Sequence, residues 1–254
     1  MSETGRGYVA TPGPFTPVVP SARAMLGVAL VVGVGVVTAL AVVVGPLYAA
    51  DRFRDLREPT DAERAQIAAL AEPSGLDVDR IAIEAVGSEG DGSDGGERGP
   101  AEVSVRGPPR RQVLFLSEDV LTDLDEDIAV GLLAAEASRV ATYYAEFRAV
   151  AVGAVLAALT AVVTALVPFE SGFSALVAVG LVSFWAGRRV QYAADARAAD
   201  AVGAERVADA FERVAERRGV EPERGDLSTW FEVQPPLGDR IARLREQAAG
   251  EEER

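Results

Sequence analysis

The chain has 254 residues, 49% hydrophobic and 25% charged, and a formal charge of −14 from 39 acidic and 25 basic residues, every basic one an arginine. With a pI near 4.6 it lacks the basic face of a nucleic-acid binder. It contains no cysteine and no histidine, which excludes disulfides, thiol nucleophiles, imidazole bases and metal sites built on thiolate or His. A mean hydropathy of +0.14 beside that many charges means that apolar and charged residues are segregated. Two uncharged apolar blocks hold much of the hydrophobicity, so an integral membrane protein is expected. The lysine-free, acidic composition, with the run GSEGDGSDGGE at 87–97, reads as salt adaptation. At about 1 M salt the Debye length is only ~3 Å, so clustered carboxylates repel little and mainly hold water.

Residues 1–23 are rich in Pro, Gly, Thr and Ser and read as a disordered leader. Residues 24–50 carry no charge and are long enough to cross a hydrocarbon core as a retained helix, a cleaved signal peptide being the alternative. Thr60-Asp61-Ala62-Glu63 fits a capping box, opening a helix with Ile67 and Leu70 that stops before Pro73. DRIAIEAV (79–86), EVSVR (102–106) and QVLFLS (112–117) alternate like strands, the last two joined across Gly107-Pro108-Pro109, which predicts a small sheet with a hairpin. Asp125 is the expected N-cap of a helix over 126–147, with Glu126 and Asp127 favourably placed in its first turn. That helix is expected to run into a second apolar block.

Residues 149–187 read as a membrane hairpin: an apolar block to 167, a break at Pro168, Glu170 and Gly172, and a short returning block over 173–186. A buried soluble hairpin is the alternative. Arg188 and Arg189 lead into a further helix to about Arg218, striped by Val207, Phe211 and Val214 and ended by Gly219. Pro235-Pro236 starts a last helix carrying Ile241 and Leu244. Arg52, Arg54, Arg57, Arg148, Arg188 and Arg189 flank one side of the apolar blocks, and the hairpin tip has no basic residue. The positive-inside rule therefore puts 51–148 and 188–254 together in the cytoplasm as one domain.

Within LLAAEASRVATYY (132–144), Ala135, Glu136 and Arg139 stand at the spacing of an HExxH helix. In that motif two His share a face at i and i+4, and the Glu between them serves as general base on a zinc-bound water. With QVLFLSEDVLTDLDEDIAVGLLAAEASRV (112–140), a following hairpin, RRVQYAADARAAD (188–200) and PPLGDRIARLRE (235–246), the chain resembles the HtpX-like membrane zinc metallopeptidases, relatives of the CaaX prenyl proteases. The likeness runs from about Thr60 to Arg245 and lacks the family's Asn-Ala-Phe element.

The resemblance implies an α+β, mostly helical protein with about three membrane helices and a zincin-like cytoplasmic domain with a small sheet. It places Glu136 as a vestigial general base and Ala135, Arg139 and Gln191 at the three zinc-ligand positions. Asp195, Gln234 (where the family has a His) and Arg240 fall at other positions of the family pattern. Family members use one zinc ion; here none is expected, because Ala has no donor atom, Arg carries a cation and a lone amide is a poor ligand. Arg139 is expected to replace the metal as the central positive charge between Glu136 and Asp195. Glu136 and Arg139 as an ordinary surface pair is the plain alternative.

Three functions follow: an inactive pseudopeptidase that engages a membrane-protein partner or an active relative, an active hydrolase using a Glu136–Asp195 carboxylate pair, or a plain membrane-anchored scaffold. The location expected in each case is the cell membrane, multi-pass, with the lipid bilayer as a partner.

Overall fold

A computed structural model of the chain describes residues 21–53, 56–84, 102–109, 111–217, 219 and 235–252. Residues 1–20 of the leader, the acidic run at 87–97, Arg54, Arg218 and Gln234 lie outside the described residues, and the last leader residues, Ala22 and Arg23, begin the first helix. Among the described residues, three helices are long and apolar enough to cross a membrane. They are α1 (Ala22–Phe53), α5 (Tyr144–Val163) and the outer part of α6 (Phe169–Val202). Their outward faces carry exposed Leu26, Val37, Val150, Leu181 and Trp185, a surface suited to lipid. α1 and α5 cross at glycines: a Cβ on Gly153 would lie 2.6 Å from the Gly35 carbonyl oxygen, so the two backbones touch.

The sheet has the order β1-β2-β4-β3, with β1 (Leu56–Arg57), β2 (Arg80–Glu84), β3 (Val103–Arg106) and β4 (Val113–Ser117). β2 and β4 run parallel with Ile81 opposite Leu114 and Ile83 opposite Leu116, while β3 and β4 form the expected hairpin. Alternation assigns the faces. Ile83, Leu114 and Leu116 bury against Ile67 and Leu70 of α2 (Asp61–Ala71) and Val130 and Leu133 of α4 (Glu126–Ala141). Each such side chain contributes roughly 1.5–3 kcal/mol. Ala82 and Phe115 face the other way, onto Leu47 near the end of α1. The sheet is thereby held at the foot of the first span.

The capping box forms as the sequence predicts. The Glu63 amide donates to Thr60 Oγ1 at 3.3 Å and the Thr60 amide to Glu63 Oε2 at 2.8 Å. Arg57 adds a fork to Glu63 at 2.8 and 2.7 Å, and together these donors pull the Glu63 carboxyl from 4.5 down to about 2. β1, which carries Arg57, is too short to leave an alternation pattern and was not expected from the sequence.

α4 ends six residues earlier than expected. Thr142 and Tyr143 break it, Tyr143 at φ +53°, and α5 starts at Tyr144, so the expected helix over 126–147 is two helices. No Gly or Pro marks that break. The Thr142 hydroxyl lies within hydrogen-bonding distance of the Ser138 and Arg139 carbonyls and satisfies the end of α4.

The hairpin also differs from expectation. Its turn occupies 164–168, Glu170 and Gly172 lie inside α6, and the return is no short block: α6 runs unbroken for 34 residues, through Arg188 and Arg189 to Val202. Gly172 is where α5 and α6 meet, a Cβ there falling 2.3 Å from a Val162 methyl. Gly203 then separates α6 from α7 (Ala204–Arg217), and α8 (Leu237–Glu252) closes the fold. Ala134 and Ala135 of α4, Ala198 and Ala199 of α6, Val207 and Phe211 of α7, and Ile241 and Leu244 of α8 form a second core cluster.

Candidate functional site

The alanines of α4 follow from its position. It lies between the sheet side and the α6–α7–α8 side and needs small residues on the second face, where Gly131 comes so close to α7 that a Cβ would sit 2.7 Å from the Arg206 carbonyl oxygen. One turn further on, this face presents Ala135, Glu136 and Arg139 toward the end of α6 that carries Gln191 and Asp195. The fold thus brings together the Glu136 and Asp195 regions that the sequence pattern pairs.

Glu136 is 9% exposed and accepts a hydrogen bond from Arg139 Nη1. The Arg139 side chain is 31% exposed, yet its Nε is buried and has no partner among the described residues. The adjacent Glu136 charge raises the Arg139 pKa from its ordinary value; burial opposes this, and the Asp195 charge adds to it. Arg139 therefore stays a cation under all working conditions.

Asp195, 5% exposed, is held by three donors. Arg240 Nε donates to Oδ2 at 2.7 Å and Arg240 Nη2 to Oδ1 at 2.6 Å, a bidentate fork, while Gln191 Nε2 donates to Oδ1 at 3.2 Å. The Arg240 guanidinium lies 4.3 Å from the Phe211 ring centroid, so an aromatic face covers the charge that the carboxylate does not. This corrects the expectation of one central arginine. Two arginines divide the two carboxylates, and Arg139 acts on Asp195 only at longer range. The reason is reach: α8 offers Arg240 directly to Asp195, whereas Arg139 is spent on the carboxylate one turn back along its own helix.

The pairing of Arg240 with Asp195 was not evident from the sequence, where the residues lie 45 positions apart. One signal was available. Arg240 lies about one and two helical turns from Leu244 and Ala248, residues packed in the second core, and an arginine in line with an apolar stripe needs a buried partner.

A zinc ion does not fit these side chains. Ala135 has no lone pair and is packed among alanines, Arg139 brings a positive charge, and the Gln191 amide is committed to Asp195. Among the described residues no group of three or more carboxylates is placed to hold a metal. Gln234 lies outside the described residues; Pro235 and Pro236 beside it are buried at the start of α8.

No protein-family model matches the chain, and no curated protein matches it. Among solved structures it is similar to the crystal structure of S. mikatae Ste24p, with a TM-score of 0.64 at 16% sequence identity, over 85% of this chain and 57% of that one. The chain therefore spans little more than half the length of Ste24p, and at this identity the likeness shows the fold alone: three membrane-length helices with a small mixed sheet.

Proposed function

We propose that this chain is a catalytically inactive, HtpX-like membrane pseudopeptidase that works by engaging a membrane-protein partner. The observation that carries the reading is Arg139. It stands at a ligand position of the family pattern, four residues after Ala135, and its guanidinium is bound to Glu136, the side chain that would otherwise act as base. A fixed cation at that point repels a metal ion, and a glutamate neutralised by it is a poor base. The positive-inside argument puts the sheet and α7–α8 in the cytoplasm.

The alternative, a Glu136–Asp195 pair sharing a proton to activate water, is disfavoured. Each carboxylate has its own guanidinium, so neither gains from sharing a proton with the other. Purified full-length protein should contain no stoichiometric zinc by elemental analysis and should not cleave casein. Stoichiometric zinc together with proteolysis abolished by Glu136→Gln would overturn the reading.

A further inference from the structure

Most described arginines in this acidic chain are matched to carboxylates: Arg57 to Glu63 and Glu118, Arg139 to Glu136, Arg206 to Asp127, Arg240 to Asp195, and Arg245 to Asp209 and Glu212. Arg148, Arg188 and Arg189 belong with Arg23, Arg111, Arg197 and Arg243 outside that set, and they differ in lying at the edge of the apolar hairpin. Among the described residues none of the three forms an ion pair, although acidic residues outnumber basic ones 39 to 25. Arg148 and Arg189 are exposed and Arg188 is half-buried.

The three share one level of the fold. α5 and α6 are antiparallel and meet at Val162 and Gly172. Fourteen residues back from Val162 is Arg148 and fourteen on from Gly172 is Ala186, so equal helical rise sets Arg148 at about the level of the Arg188–Arg189 turn. This is the boundary where the apolar hairpin enters the folded domain. The nearest acid along α5, Glu146, lies two residues from Arg148 and so projects from another side of the helix.

Their side chains are also oriented. The Arg188 guanidinium lies 5.1 Å from the Phe184 ring centroid and that of Arg189 lies 5.6 Å from Trp185, each one turn back toward the hairpin tip. Both cations therefore bend toward the bilayer instead of reaching into the acidic domain. Stacking on a ring occupies the face of a guanidinium and leaves its N–H edges free for an oxyanion in the plane. Trp185, 64% exposed, is a ring type suited to the headgroup level.

We propose that Arg148, Arg188 and Arg189, the last two with the Phe184 and Trp185 rings beneath them, hold anionic phospholipid headgroups at the domain-side boundary of the hairpin. The phosphodiester takes the guanidinium edges, and the acyl chains run along the exposed Val182 and Leu181 surface of α6. Each arginine near an anionic lipid surface favours it by about fivefold.

The test uses the full chain reconstituted in nanodiscs of mixed phosphatidylcholine and phosphatidylglycerol, extracted mildly and weighed by native mass spectrometry. The wild type should retain phosphatidylglycerol well above its bulk share. The triple variant Arg148→Gln, Arg188→Gln, Arg189→Gln should fall to the bulk share, with its melting temperature in pure phosphatidylcholine unchanged. If the triple variant fails to fold, the three single variants should each lower the enrichment. Arg213→Gln, which removes one exposed arginine far along α7, should leave it intact. Enrichment that is absent in the wild type, survives the triple variant, falls equally with Arg213→Gln or is displaced by inorganic phosphate would overturn the proposal.

Discussion

Removing the Arg240 side chain leaves the Asp195 carboxylate, 5% exposed, with the Gln191 amide as its one donor among the described residues. Breaking a buried pair by deleting one partner typically costs about 3–5 kcal/mol. Arg139 is more exposed and serves one carboxylate, so Arg139→Ala should cost less, on the order of 1–3 kcal/mol. Glu136→Gln keeps shape and an acceptor and should cost least. Melting temperatures in detergent should therefore fall in the order Glu136→Gln, Arg139→Ala, Arg240→Ala; equal, negligible shifts would remove the idea that two arginines neutralise this site. At Glu63 the carboxyl is lowered from 4.5 to about 2 in the folded state by the Arg57 fork and the Thr60 cap. A depressed folded value means its contribution is complete above 4.5 and is lost as pH falls toward 2. Wild type and Glu63→Gln should thus differ in melting temperature at pH 7 and converge as pH approaches 2.

At the scale of elements, two positions report on how the helices meet. Gly131→Ala would force a methyl against the Arg206 carbonyl at 2.7 Å, where backbone cannot yield cheaply, and should cost about 1–3 kcal/mol by chemical denaturation. Tyr143→Gly should be neutral or stabilising, because φ +53° costs an L-residue about 1–2 kcal/mol that glycine does not bear. That break was invisible in the sequence because a tyrosine occupies a conformation that Gly or Asn usually signals. The features that were legible have local causes: the Thr60 cap, the hairpin around Gly107 and the apolar stripes of α7 and α8 each rest on residues within a turn or two. What stayed hidden depends on distance. The two residues of β1 acquire meaning only beside β2, and Asp195 finds its partner 45 positions away. Ala135, Glu136 and Arg139 were readable as a spacing; which carboxylate each arginine would take was decided by α8.

For the whole molecule, the structure puts the sheet at the end of α1 that carries Leu47 and puts α7 beyond the far end of α6, both on the side opposite the hairpin tip. Because the chain has no cysteine, single introduced thiols report this cleanly. In sealed vesicles Ser171→Cys, exposed at the tip, and Glu216→Cys, exposed on α7, should be labelled by an impermeant reagent from opposite sides. Labelling of both from one side would rule out a membrane hairpin. The unbroken α6 then has a mechanical meaning. At 1.5 Å per residue its 34 residues make a rod of about 50 Å. One end lies in hydrocarbon, and near the other Asp195 is clamped by Arg240. A long apolar helix meets a thinner bilayer by tilting, kinking or deforming it. One rigid element therefore joins the membrane-length segment to the buried Asp195–Arg240 ion pair.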